Sequence, residues 1–322
     1  MEKEYDIVAM GELLIDFTPA GVSETGMCLY ERNPGGAPVN MLTAAAKAGF
    51  RTAFIGKVGN DMHGKFLIEA VENQNINSDG IILDDNVFTT LAFVNLTKDG
   101  ERSFAFARKP GADTMIGYKE VDTQILQNTK VFHVGSLSLT DEPARSTTFQ
   151  AVKCAKNAGA VISYDPNYRA PLWNNEKTAI ERMRSMLPFA DMIKLSDEET
   201  ALLTPYENPD EAANYLLDHG IKIVAVTLGK EGVLICNRKD HQKVSGFSSQ
   251  VVDTTGAGDS FWGGFMSQFV KSKLNPEDCS IEELKKFARY GNAVASLCIE
   301  KKGGILSIPE EKETFKRLQI SV

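Results

Sequence analysis

Residues 251–265 read VVDTTGAGDSFWGGF, and the reading of this stretch decides what kind of chain it belongs to. Two β-branched residues, Val251 and Val252, run into Asp253, two threonines and a Gly256-Ala257-Gly258 turn. Asp259 follows, and Phe261, Phe265 and Phe269 then recur at helical spacing. The pattern predicts a strand ending at Asp253 and a helix opening at the glycines. A helix start carries free backbone N–H groups and the positive end of the helix dipole, and small residues let an anion come close to both. A plain anion site gains nothing from Asp259, whose charge repels the ligand. A carboxylate belongs there if a hydroxyl must lose its proton while a phosphoryl group arrives, with the amides stabilising the charge. On composition alone a second reading stands beside it: an Asp complementing the dipole, with glycine for a tight turn.

Outward from this stretch, short runs rich in Val and Ile recur: YDIVAM, TAFIGKV, KVFHVGS, AVISYD, DMIKLS and KIVAVTL. Between them lie amphipathic patterns such as VNMLTAAAKAG, GKFLIEAVENQ, PARSTTFQAVKCAKNAG, DEAANYLLDHG and ELKKFARYGNAVASLCIE. Several end in Gly, as a helix C-terminus should. Strand–helix alternation with non-alternating apolar strands predicts a three-layer α/β/α fold around a mainly parallel sheet. There are no repeats and no low-complexity linker, so residues 1–322 are expected to form one domain. Two stretches break the pattern. Residues 88–113 alternate in character about a Lys98-Asp99-Gly100 turn, a hairpin signal, and LLIDFTPAG to MCLYERNPGG reads as a second extended excursion. Together they predict a small accessory β-sheet, with lid segments at roughly 12–34 and 88–117, beside the strand ends where open α/β folds bind ligands. Such a flap would exclude water.

The formal net charge of −8 over 322 residues argues against a nucleic-acid surface. No leader and no run of 18 apolar residues is seen, so neither a membrane partner nor export is expected. Five scattered cysteines with no C-x-x-C read as free thiols in a reducing cytoplasm. The four histidines lie far apart, and His133 in VFHVGS reads as a hydrogen-bonded residue on a buried strand. Met27, Phe104, Phe106, Trp262 and Trp173 read as core residues before pocket residues. A nicotinamide-dependent dehydrogenase is disfavoured, since no strand is followed by G-x-G-x-x-G with an acidic residue downstream.

DTTGAGDSF resembles the C-terminal signature of the ribokinase-like, or PfkB, family of carbohydrate kinases. PGGAPVNMLTAAAKAGF with FIGKVGNDMHG resembles that family's N-terminal signature. The likeness continues through AMGELLIDF, SYDPNYR, DMIKLSDEE, VTLGKEG and KGGILSIP, in the family's order, over essentially the whole chain. The resemblance implies ATP as cosubstrate, Asp259 as catalytic base, and Gly256, Ala257 and Gly258 as its anion hole. An Asp at its ordinary pKa of about 3.9 is a feeble base, tolerable because phosphoryl transfer is loose and the proton can leave late.

By the same resemblance the sugar-facing set is Asp16, Gly35, Gly36 and Asn40, with Arg108 and Arg169 to hold sugar oxygens or the transferring phosphate. Lys194, Thr227, Gly229 and Gly232 match phosphate- and ribose-side positions, and Asn292 with Gly304 the adenine side. Glu199 matches the acidic residue of an N-x-x-E motif that organises Mg²⁺ through water, although Ser196 stands at the Asn position. A K⁺ ion beside the anion hole, as in many relatives, would be held by Asp253 with carbonyls near Thr255, Cys298 and Gly303, and by Ser307. The hairpin and the GELLIDF and SYDPNYRAPLW blocks are similar to the fructokinase branch, which implies D-fructose as acceptor. 2-Keto-3-deoxygluconate, aminoimidazole riboside and ribose remain alternative acceptors, and an inactive sugar-binding regulator a remote one. A homodimer through the lid is expected, because an open sheet edge invites pairing.

Overall fold

The computed structural model describes residues 3–96 and 102–320. Its strands are β1 (Tyr5–Met10), β2 (Leu14–Val22), β3 (Cys28–Gly35), β4 (Thr52–Gly59), β5 (Ile76–Asp84), β6 (Leu91–Leu96) and β7 (Arg102–Ala107). They continue with β8 (Thr129–Gly135), β9 (Val161–Asp165), β10 (Met192–Ser196), β11 (Ile223–Thr227), β12 (Val233–Cys236) and β13 (His241–Val244). The helices are α1 (Ala37–Lys47), α2 (Met62–Glu72), α3 (Thr123–Gln127), α4 (Ala144–Asn157) and α5 (Glu176–Arg184). After these come α6 (Thr200–Leu203), α7 (Pro209–Asp218), α8 (Ala257–Ser272), α9 (Ile281–Cys298) and α10 (Glu311–Leu318).

Nine strands form one sheet in the order β13-β12-β11-β10-β9-β8-β1-β4-β5. Every pairing from β11 to β5 is parallel, and β12 and β13 add antiparallel at one edge. Successive side chains of a strand face opposite sides. Val8 and Met10 of β1 accordingly enter one core with Phe132, Ile162, Val152 of α4, Met183 of α5 and Leu216 of α7. Ile7 and Ala9 enter the other with Phe54, Leu42 of α1, Val71 of α2, Phe265 of α8 and Phe287 of α9. Both faces are covered, which is why the strands read as continuous apolar runs.

Three helix-to-strand connections share one device. Gly49, Gly159 and Gly220 lie at φ of +84°, +82° and +104°, just past α1, α4 and α7. At each, the next residue's N–H returns to a carbonyl five residues back: Phe50 to Ala45, Ala160 to Ala155, Ile221 to Leu216. These are Schellman closures, and each feeds a strand of the main sheet within a few residues.

The second sheet has four strands in the order β3-β2-β6-β7. Two antiparallel hairpins, β2–β3 and β6–β7, are joined by a parallel pairing of β2 with β6 through Ile15↔Leu91 and Phe17↔Phe93. The Lys98-Asp99-Gly100 turn lies outside the described residues, as does Thr97 before it. After Ala107 the chain leaves this sheet: Ala112 N–H bonds Phe88 O, and Ile116 packs into the core beside Phe132. His133 is buried and shares a hydrogen bond with Ser163 at 2.9 Å, and burial depresses its pKa to about 3. Trp262 is fully buried, its indole N–H donating to the same Ser163 oxygen at 2.8 Å, and Trp173 is also core. Met27, by contrast, is 67% exposed at the β2–β3 turn.

One expectation about the opening stretch fails. Residues 251–256 form no strand. Val251 and Val252 face solvent, and the N–H groups of Val252 and Asp253 both reach the carbonyl of Ile299, one residue past α9. A helix end leaves carbonyls without intrahelical partners, and here one of them satisfies this segment in place of a neighbouring strand.

Candidate active site

The carboxyl ends of β1, β9, β10 and β11 and the N-termini of α1 and α8 meet around a cleft of about 610 Å³. Its lining includes Asp16, Gly36, Asn40, Arg169, Lys194, Glu199, Thr227, Gly229, Thr255 and the whole Gly256–Asp259 segment. More than half of the site residues singled out in the sequence thus converge on one cleft. Placement at the strand carboxyl ends is the rule for open α/β sheets.

The start of α8 is built as the sequence suggests. Gly256 takes a left-handed conformation at φ +77°, and a Cβ there would also approach Gly304 Cα at 3.3 Å. Ala257 N–H turns onto Thr254 O at 3.2 Å, so the open first-turn donors are those of Gly258 and Asp259. A Cβ on Gly258 would sit 2.9 Å from Lys194 Nζ, so glycine here lets the ammonium lie against the helix start. Lys194 Nζ donates to Asp165 Oδ2 at 2.9 Å, and both residues are buried. Burial alone would lower the Lys194 pKa, but Asp165, Glu199 and Asp259 outweigh it and raise it.

Asp259 is 8% exposed. Asn40 Nδ2 donates to its Oδ2 at 2.9 Å and Asn167 Nδ2 to its Oδ1 at 3.4 Å. Its pKa is raised by burial and by the Asp165 charge, against Lys194, Asn40 and Arg169, which lower it. The feeble base of the sequence reading is therefore corrected: desolvation makes this carboxylate more basic than an exposed one. Asp16 faces the same cleft with its pKa raised to about 6 by burial, opposed by Arg169 and reinforced by Asp253 and Asp259. Gly35 lies behind it, where a Cβ would stand 2.1 Å from Asp16 Oδ2.

Other expected positions fall elsewhere. Arg108 is buried outside the lining, its fork occupied by Asp113 at 2.6 Å, Thr140 Oγ1 at 2.8 Å and Leu137 O at 2.9 Å. Asn292 gives its amide to Val244 O and Ser245 O, both at 3.0 Å. Gly304 packs on Asn40 and Gly256 rather than beside Asn292. Gly232, at φ +99°, sits tightly under Val244 O. Asp253 accepts from Thr255 N–H at 2.8 Å and Gly303 N–H at 3.1 Å. Cys298 Sγ lies 3.0 Å from Ser307 Oγ and donates toward Thr255 O at 3.7 Å. The five residues expected around a K⁺ ion therefore form one contact network next to the α8 start.

Lining or bordering residues to which the sequence reading gave no site role include four of note. Glu12 is 3% exposed, accepts from Ala37 N–H at 3.0 Å through Oε1, and its Oε2 has no partner among the described residues. Burial raises its pKa to about 7. Asp165, Asn167 and Phe106 complete the set; Phe106 was read as core and instead lines the cleft. Asp165-Pro166-Asn167 at a strand end is an Asx-type turn signal that could have pointed to two of them.

A profile of the pfkB family carbohydrate kinases matches residues 5–311. "Probable fructokinase-5" of Arabidopsis thaliana is 40% identical over 316 residues, covering 97% of each chain. The crystal structure of Xylella fastidiosa fructokinase with bound ATP superposes with a TM-score of 0.90 at 30% identity, covering 98% of both chains. A double mutant of Vibrio cholerae O395 fructokinase, in a form with fructose, ADP and potassium ion bound, gives 0.88 at 29% identity, covering 99% of this chain and 100% of that one. With the Gly-Ala-Gly helix start, the buried Asp259 and the strand-end cleft in place, this chain belongs to the pfkB family of carbohydrate kinases.

Proposed function

We propose that the protein transfers the γ-phosphoryl group of ATP to the 6-hydroxyl of D-fructose. The observation that carries this reading is the buried Asp259 carboxylate beside the open amides of α8, with Asp16 across the same cleft. The fructokinase names of full-length relatives support fructose over other acceptors.

In this reading Asp16 accepts hydrogen bonds from sugar hydroxyls, and the backbone at Gly36 lets the ring come close. Asp259 takes the proton of the attacking hydroxyl. The Gly258 and Asp259 amides, Lys194 and Arg169 meet the charge on the transferring group. Gly229 and Thr227, on the far side of Lys194, take the remaining phosphates. The four-stranded sheet closes over the sugar as a lid and keeps water out.

Among the described residues no three His, Cys, Asp or Glu side chains are arranged to hold a metal by themselves. The residues present suit a cation that arrives with the nucleotide. Glu199 accepts from Tyr168 N–H through Oε1 at 2.6 Å and from Ser196 N–H through Oε2 at 2.8 Å, leaving only spare lone pairs to orient water. Mg²⁺ would neutralise phosphate charge there while keeping most of its waters. Ser196 contributes its backbone to this arrangement, so the loss of the motif Asn leaves Glu199 fixed. The oxygen-rich network of Asp253, Thr255, Gly303 and Ser307 suits a K⁺ ion. We further propose a cytoplasmic homodimer formed through the small sheet. No helix among the described residues is long and apolar enough to cross a membrane, and all five cysteines are unpaired.

The test is ADP release with MgATP and fructose, ribose, 2-keto-3-deoxygluconate, aminoimidazole riboside or a nucleoside. Fructose is expected to lead, and Asp259→Asn to lower kcat by roughly two to four orders of magnitude. Another leading acceptor overturns the fructose assignment and leaves kinase chemistry intact; binding without turnover overturns the enzyme reading.

A further inference from the structure

Asp259 is held from two sides. Asn40, on the first turn of α1, gives its amide N–H to Oδ2 at 2.9 Å. Asn167, in the turn after β9, gives its own to Oδ1 at 3.4 Å. Asn167 is itself fixed: its backbone N–H donates to Asp165 Oδ1 at 3.1 Å, and its φ of +45° is a left-handed conformation that only Asn, Asp and Gly adopt readily. The other oxygen of Asp165 holds Lys194 at 2.9 Å. One three-residue turn therefore sets the distance between the group that would accept a proton and the ammonium that would meet a phosphate.

We propose that Asn167 is a positioning residue for Asp259, the second amide of a clamp that fixes both carboxylate oxygens and aims one toward the acceptor hydroxyl. This rests on the reading of Asp259 as the proton acceptor. A carboxylate buried among charges of both signs has no reason to keep one rotamer unless each oxygen is tied. Asp16, Asp165, Arg169, Lys194 and Cys298 all act on it electrostatically. Hydrogen bonds to the ionised form stabilise that form. The clamp thus opposes the rise that burial causes, while leaving the outward lone pairs for the substrate.

The left-handed backbone chooses the variants. Asn167→Ala would strain the turn, so its effect would be ambiguous; Asn167→Gly keeps the turn and removes only the amide. Asn167→Asp keeps the shape and replaces donors by a second negative charge. The ¹³C carboxyl resonance of Asp259, identified by its absence in Asp259→Asn, is titrated in the full chain without substrate. Its pKa is expected to rise from wild type to Asn167→Gly and again to Asn167→Asp. In the kinase assay kcat should fall on the order of tenfold in Asn167→Gly, the cost of one hydrogen bond to a charged group, with KM for sugar and ATP little changed. The acid limb of the kcat profile should move to higher pH in the same order. An unchanged Asp259 titration in both variants overturns the proposal, as does a loss confined to KM, which would make Asn167 a substrate contact. Absence of wild-type turnover would count against the kinase reading alone, since the carboxyl titration does not depend on it.

Discussion

Three carboxyl groups at this site carry a raised pKa, and they have different consequences. For Asp16, raised to about 6, the proposed function makes the ionised form the acceptor for sugar hydroxyls. Sugar affinity should therefore weaken as pH falls through about 6, seen as a rise in KM for the sugar between pH 7 and 5 with KM for ATP much less affected. Glu12 bears on stability instead. Its folded pKa of about 7 lies above the ordinary value of 4.5, so the folded state holds its proton longer than the unfolded chain does. Stability is then fully present below about 4.5 and declines up to about 7. Glu12→Gln removes the charge that has to be buried. It should raise the melting temperature at pH 8 and leave it nearly unchanged at pH 5, the ceiling being about 3 kcal/mol at 1.36 kcal/mol per unit. Equal shifts at both pH values would mean the carboxyl is not titrating where its burial places it.

At the scale of elements, the chain uses glycine for two separable purposes, and substitution should separate them. Gly159 closes α4 at φ +82° with open space where a Cβ would go. Ala there meets only the left-handed backbone penalty, so Gly159→Ala should cost about 1–2 kcal/mol of stability and leave kcat unchanged. Gly258 has an ordinary helical place, but a Cβ would press on Lys194 Nζ at 2.9 Å. Gly258→Ala should therefore push the ammonium from the α8 start, lowering kcat and ATP affinity with little change in melting temperature. Thermal melts and steady-state kinetics on the two variants read both axes. Loss of activity in Gly159→Ala, or loss of stability alone in Gly258→Ala, would contradict the division.

For the whole molecule, the sequence carried the layers well because burial on both faces leaves a local mark: YDIVAM and DMIKLS are apolar without alternation, and α1, α4 and α7 each close on Gly before the next strand. It carried less where long-range partners decide. Val251 and Val252 look like a strand, yet they end on the Ile299 carbonyl, an acceptor 47 positions past Val252 that no local pattern announces. Asn167 and Asp165 matter because β9 and β10 bring them under α8, and Arg108 falls out of the cleft because Asp113 claims it. The same long-range logic bears on assembly. The small sheet has β3 and β7 at its edges and carries Val22, Met27, Leu29 and Tyr30 exposed on its β2–β3 hairpin. Apolar side chains gathered on an open hairpin are costly in water, and a second copy of the same sheet is a self-complementary way to cover them. Light scattering at micromolar concentration should give about twice the chain mass of 35.3 kDa, and Leu29→Asp with Met27→Glu should return it to one chain mass. If the lid also depends on its partner for closure, that monomer will show a raised KM for sugar and faster ATP hydrolysis without acceptor. A wild-type chain that stays at 35.3 kDa would sink the dimer and leave the hairpin's exposed side chains facing only water and the cleft below.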